Sequence, residues 1–179
     1  MSLSLVAYQH VKHITDPRLS ELDELHQVLH GDFPEQAGSL VDEGYYEGTH
    51  QSFFRVGYAS YHCFREQLAI IAGYQKQAIP DPDFRDPDFL NKAFHWRNPH
   101  IADIYVNQLS EGAFIEILCF SDCEGVIDEM HCRKLLVDFN AHEAKAMALA
   151  NDLPKFWSFY QAFQRALNVA VQKGFIAYC

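Results

Sequence analysis

Apolar positions recur at three- and four-residue spacing through much of the chain, which is the period of helices with one buried face. Leu19, Leu22, Leu25 and Leu29 follow Asp16 and Pro17, and Gly31 closes the run. The aspartate is placed to cap exposed amides and the proline suits a first helical position, so a helix is predicted there. Tyr61, Phe64, Leu68 and Ile71 mark a second helix, with Ser60 as its cap and Gly73 as its stop. Asp128 is placed to cap a long helix with Cys132, Leu135, Leu136 and Phe139 as its stripe, continuing through the alanine-rich residues 141–150. Pro154 separates it from a last helix in which Phe156, Phe159, Tyr160, Phe163, Leu167, Ala170 and Val171 keep one face apolar as far as Gly174.

The remaining segments are less regular. Residues 32–55 break into Pro34, Gly38, Gly44 and Gly48 between the aromatic pairs Tyr45-Tyr46 and Phe53-Phe54, the signature of a loop holding one short strand. Asp-Pro-Asp-Phe occurs twice within residues 81–89, and Asp86-Pro87 suits the start of a short helix carrying Phe89, Leu90, Ala93 and Phe94. Over residues 97–120, Ile104, Val106, Ile115 and Ile117 alternate as a strand would, whereas Phe114, Ile117 and Leu118 sit at helical spacing; a short helix after Gly112 is favoured. Residues 175–178 read as a terminal strand or a strap across the core. The expected architecture is mainly α: a single domain over residues 1–179, an irregular bundle of five to six helices, with at most a small two-stranded β element near Phe53 and Phe175.

Composition narrows the function classes. The chain has 179 residues, 49% hydrophobic and 14% aromatic, enough apolar material for one core and incompatible with a disordered resting state. Its longest apolar runs are a few residues, so neither a membrane span nor a signal-peptide core is expected. Fourteen basic side chains against 24 acidic ones give a net charge of −10, with no run of Lys or Arg. Backbone-directed nucleic-acid binding, which draws on clustered cations, is therefore disfavoured, and a protein partner is preferred. Five cysteines are an odd count for a disulfide framework and point to a reducing, cytoplasmic setting.

Candidate chemistry is sparse. His26 and His30 lie four apart on the first predicted helix, one turn from each other, but two imidazoles do not make a metal site. Cys119, Cys123, His131 and Cys132 lack the gaps of paired zinc knuckles, and Cys132 falls on a core stripe, so buried thiols are expected. Asp81, Asp83, Asp86 and Asp88 lack the glycine bend and closing glutamate of a calcium loop and read as a solvated turn. Phosphate-binding glycine loops and the Gly-x-Ser-x-Gly nucleophile elbow are absent from the sequence. No cofactor is implied.

The segment Phe120-Ser121-Asp122-Cys123-Glu124-Gly125 places two carboxylates and a glycine shortly before a helix, where carboxylates cap amides or face a cleft. Together with Tyr61-His62-Cys63-Phe64-Arg65 and the closing helix that ends at Gly174-Phe175, it resembles a family of small uncharacterised bacterial and phage-associated proteins. That family carries a helix with a Tyr and an Arg, an Asp-Cys-Glu-Gly-like turn and two C-terminal helices. The resemblance covers residues 53–179, with Tyr58-Ala59 standing where the family tends to Ser-Tyr and an aspartate-proline loop added. It implies a compact fold and no established activity.

Tyr61, Arg65, Asp122 and Glu124 thus form the candidate polar cluster. It is either an ion pair in which the arginine fork ties down the acidic turn, or the polar wall of a ligand cleft. Two functions follow from the residues. The first is a noncatalytic cytosolic protein-binding or accessory module, carried by a mobile element. The second is a small metal-assisted hydrolase using Asp122 and Glu124, with His131 or His62 as base or ligand.

Overall fold

The structure is a computed structural model, and it describes residues 2–16, 25–30, 34–78, 83, 85–87, 101–106, 111–120 and 125–179. A curled antiparallel sheet of five strands forms its frame, which corrects the expected mainly α bundle with at most two strands. The strands are β1 (Ser2–Ile14), β2 (Leu25–Gln27), β3 (Tyr45–Gly57), β4 (Gly125–Asp128) and β5 (Phe175–Tyr178), in the order β2-β3-β1-β5-β4. Among the described residues the helices are α1 (Pro34–Ala37), α2 (Tyr58–Ala72), α3 (Ile115–Leu118), α4 (Glu129–Ala148) and α5 (Pro154–Ala170), with a π-helical turn at Ala102–Val106.

The sheet has a reason to form that periodicity of period two expresses only in part. In β1, Leu3, Leu5 and Ala7 face the main core while Val6 and Tyr8 face the other way, as alternate strand residues must. Register carries the same division across the sheet: Leu5 pairs with Tyr178 and Ala7 with Ile176 on the core face, Val6 with Ala177 and Tyr8 with Phe175 on the outer face. Two irregularities interrupt the long β1–β3 ladder. Phe53 is an extra residue on β3 between the pairs Leu5/Phe54 and Val6/Ser52, and His10 and Val11 stand opposite Gly48. Such bulges increase local twist and bend the ladder, in keeping with the curl of the sheet.

Helices α2, α4 and α5 cover the core face. Phe64 of α2 stacks on Phe163 of α5 with ring centroids 5.2 Å apart, and Phe139 of α4 stacks on the same ring at 5.8 Å. The capping signals read from the sequence operate here. The Asp128 carboxylate accepts from the His131 amide at 2.9 Å, Gly73 takes φ 92° to end α2, and Pro154 opens α5. The cap before α2 is Gly57 instead of Ser60, because the helix begins directly at the end of β3.

The first predicted helix is corrected where it can be seen: Leu25–Gln27 is a strand paired with β3. Its leucine spacing fits a helix, but His26 pairs with Tyr46 across the sheet, and ladder hydrogen bonds decide the conformation. Residues 17–24 and the predicted short helix after Pro87 lie outside the described residues. Residues 45–57, expected to be mostly loop, form one of the two longest strands. Short helix α3 follows Gly112 and β5 occupies residues 175–178, both as expected. Among the described residues no helix is long and apolar enough to cross a membrane.

Candidate functional site

Tyr61 and Arg65 stand one turn apart on α2 and are both buried. The Arg65 guanidinium lies over the Tyr61 ring, 5.6 Å from its centroid, and Nη2 donates to the Leu118 carbonyl at the end of α3. Its Nε is buried, with no hydrogen-bond partner among the described residues. The Tyr61 hydroxyl donates to that of Tyr178 at 3.2 Å, and the Tyr178 ring lies 4.5 Å from that of Phe120. Burial, with Tyr61 beside it, pushes the Tyr178 phenol well above its ordinary range. The structure thus joins two members of the predicted cluster. Asp122 and Glu124 lie outside the described residues, although Gly125 beside them takes φ 146°, and a Cβ there would meet Phe120 Cζ at 2.7 Å.

Arg65→Ala removes the donor to a buried carbonyl and leaves a void under Tyr61. It is expected to lower stability by about 2–4 kcal/mol in urea denaturation. An unchanged midpoint would show that the guanidinium contributes nothing to the fold.

The other candidates disperse. His131 turns back on the helix start, its Nδ1 2.7 Å from the Asp128 carboxylate that also accepts its amide, so the imidazole completes a cap. His26 and His30 do not share a helix face. His26 Nδ1 lies 3.0 Å from the Tyr8 hydroxyl, and His30 Nε2 lies 2.7 Å from the Leu40 carbonyl. Cys132 is buried in the core and its thiol, pushed up by burial, donates to the Ile127 carbonyl. Among the described residues no disulfide involves Cys63, Cys119, Cys132 or Cys179. Among the described residues no group of three or more His, Cys, Asp and Glu is placed to hold a metal ion.

A different feature presents a receptive surface. The first half of α2 and the start of α5 diverge around a groove of about 590 Å³. Ala59, Cys63, Phe64, Leu153, Phe156 and Phe159 supply its apolar walls. Leu153 is 36% exposed, and Glu66, Asp152 and Lys155 also line the groove. Glu66 is held in place by the Tyr105 hydroxyl at 2.9 Å; burial, then that carboxylate, push the Tyr105 phenol up to about 12. The sequence signal for this groove was the density of aromatics at the start of α5. Phe156, Trp157, Phe159 and Tyr160 span more of the helix circumference than a single stripe against the sheet requires. Compared with protein families, curated proteins and solved structures, the chain matches none.

Proposed function

We propose that the chain is a noncatalytic, cytosolic protein-binding module whose docking site is the groove between α2 and α5. The observation that carries this reading is the groove itself: aromatic and aliphatic walls with charged side chains among them, the composition of a site that buries an anchor residue and orients its flanks. Glu66 and Asp152 outnumber Lys155 there, on a chain of net charge −10, so the favoured occupant is a partner segment with an apolar anchor flanked by Lys or Arg.

The test is site-directed photocrosslinking. With p-benzoylphenylalanine at Gln67, which lines the groove, adducts are expected on one segment of that composition and should vanish when Cys63→Trp fills the groove. The same probe at exposed Val137 on α4 should give none. Equal adducts from both positions, or adducts insensitive to Cys63→Trp, would rule out the groove as the docking site.

The competing reading, a metal-assisted hydrolase using Asp122 and Glu124, draws on one observation: Arg65, on the helix that carries Tyr61, is buried and its Nε has no hydrogen-bond partner among the described residues. Stoichiometric zinc, manganese or iron in the purified protein would put that reading first.

A further inference from the structure

The outer face of the sheet carries a second, smaller core that the groove does not use. Tyr8, Tyr46, Val126, Phe175 and Ala177 form its floor, and Val28, Ala37 and Leu40 lie over it on the segment around β2 and α1. Among the described residues, that cover is joined to the sheet by the β2–β3 pairing, the Val28 amide on the Gly44 carbonyl at 2.8 Å, and the Val41 amide on the Tyr46 hydroxyl at 2.8 Å. At its margin two imidazoles share one ring. His26 of β2 and His50 of β3 lie with centroids 4.8 Å and 5.4 Å from that of Tyr8, and His26 also lies 5.5 Å from the Phe175 ring.

We propose that His26, packed against Tyr8 and Phe175 beside His50, is an acid-sensitive latch that releases the β2–α1 cover from the outer face of the sheet. In the closed form the His26 Nδ1 lies 3.0 Å from the Tyr8 hydroxyl, and a neutral ring with its proton on Nε2 accepts from that hydroxyl. Protonation takes that lone pair and places a cation in an apolar setting next to a second basic ring. Burial, and after it His50, hold His26 below its ordinary 6.5. The closed form therefore binds fewer protons than the open one. Its advantage is complete above about pH 6.5 and is lost as pH falls toward the depressed value.

The titratable groups around His26 among the described residues leave this sign intact. Tyr8 and His50 flank it, Tyr46 pairs with it in register, and Tyr178 and Cys179 line the small cavity it borders. Glu47 is opposite Leu25 and lies 3.8 Å from Lys12, and His13 packs on Tyr46. His30 donates from Nε2 to the Leu40 carbonyl in either charge state, so its bond survives acid.

Amide hydrogen exchange at pH 7.5 and 5.5, corrected for intrinsic rates, tests the latch. Protection of the Val28 and Leu40 amides is expected to fall about tenfold in acid while Phe139 and Phe163 in the helices keep theirs. In His26→Phe, and in His26→Gln as a polar control, that pH dependence should disappear. Constant protection at Val28 and Leu40 in the wild type, the same acid loss in both variants, or equal loss in the helices would each overturn the proposal.

Discussion

Lys134→Met is expected to cost about 3 kcal/mol of unfolding free energy, the low end of the range for stranding one side of a buried ion pair. Lys134 Nζ lies 2.8 Å from Glu116 Oε2 and 2.9 Å from Asp138 Oδ2, and it also donates to the Gly112 carbonyl. The two carboxylates keep only 10% and 15% of their side-chain exposure, against 39% for the lysine, whose partial hydration sets the discount. Burial disfavours the ammonium, but its hydrogen bonds to Glu116 and Asp138 outweigh that and hold it above 10.5. Because the folded value is raised, deprotonation of the lysine does not remove the contribution below about pH 10.5, and on the alkaline side it is lost as pH rises through the raised value.

The loss should spread beyond the charges. Asp138 also accepts from the amide of Phe114, which sits at φ 62° before α3, so misplacing this carboxylate loosens the whole 111–118 segment against α4. Urea denaturation checks the value, and Glu116→Gln added to Lys134→Met should restore part of it by removing one stranded charge. A Lys134→Met variant as stable as the wild type would mean that these carboxylates are satisfied without the lysine.

Gly174→Ala should be at least as damaging, about 3 kcal/mol or more. A Cβ at residue 174 would stand 1.8 Å from the Tyr8 carbonyl oxygen, 2.7 Å from its carbon and 3.0 Å from the Gln9 Cα. Every one of those atoms is backbone, so no rotamer change can make room, and β5 must move away from β1 where Tyr8 pairs with Phe175. The neighbouring bonds, His10 amide to Gln172 carbonyl and Val11 amide to Lys173 carbonyl, would be strained together. Gly57→Ala is the matched control, with φ −72° and nothing within 4 Å of the added methyl. Thermal melts should separate the two variants widely; a Gly174→Ala protein that melts with Gly57→Ala would show the β1–β5 contact to be compliant.

Part of the candidate site was legible because it depends on spacing within one helix. Tyr61 and Arg65 are four apart, so any helix through them puts both on one side, and burial of that side made them neighbours. The groove was not legible, since its walls come from two helices far apart in sequence and its existence depends on the angle at which they diverge. The His26 cluster was hidden for a sharper reason. Leucines at helical spacing surround His26, and a helix there would have faced it toward His30, whereas strand pairing with Tyr46 turns it onto Tyr8.

By itself the sequence determined the three long helices, because an amphipathic stripe, an aspartate cap, a left-handed glycine and a first-turn proline are local signals that need no partner. It also determined the net charge of −10, and its expectation of unbridged cysteines agrees with Cys63, Cys119, Cys132 and Cys179, Cys123 lying outside the described residues. Only the tertiary structure decided the sheet. β4 and β5 are buried on both faces and so show no alternation, and bulges at Phe53 and at His10-Val11 shift the phase of β1 against β3. A strand acquires its hydrogen bonds from residues distant in the chain, so which segments become strands is settled when the partners meet.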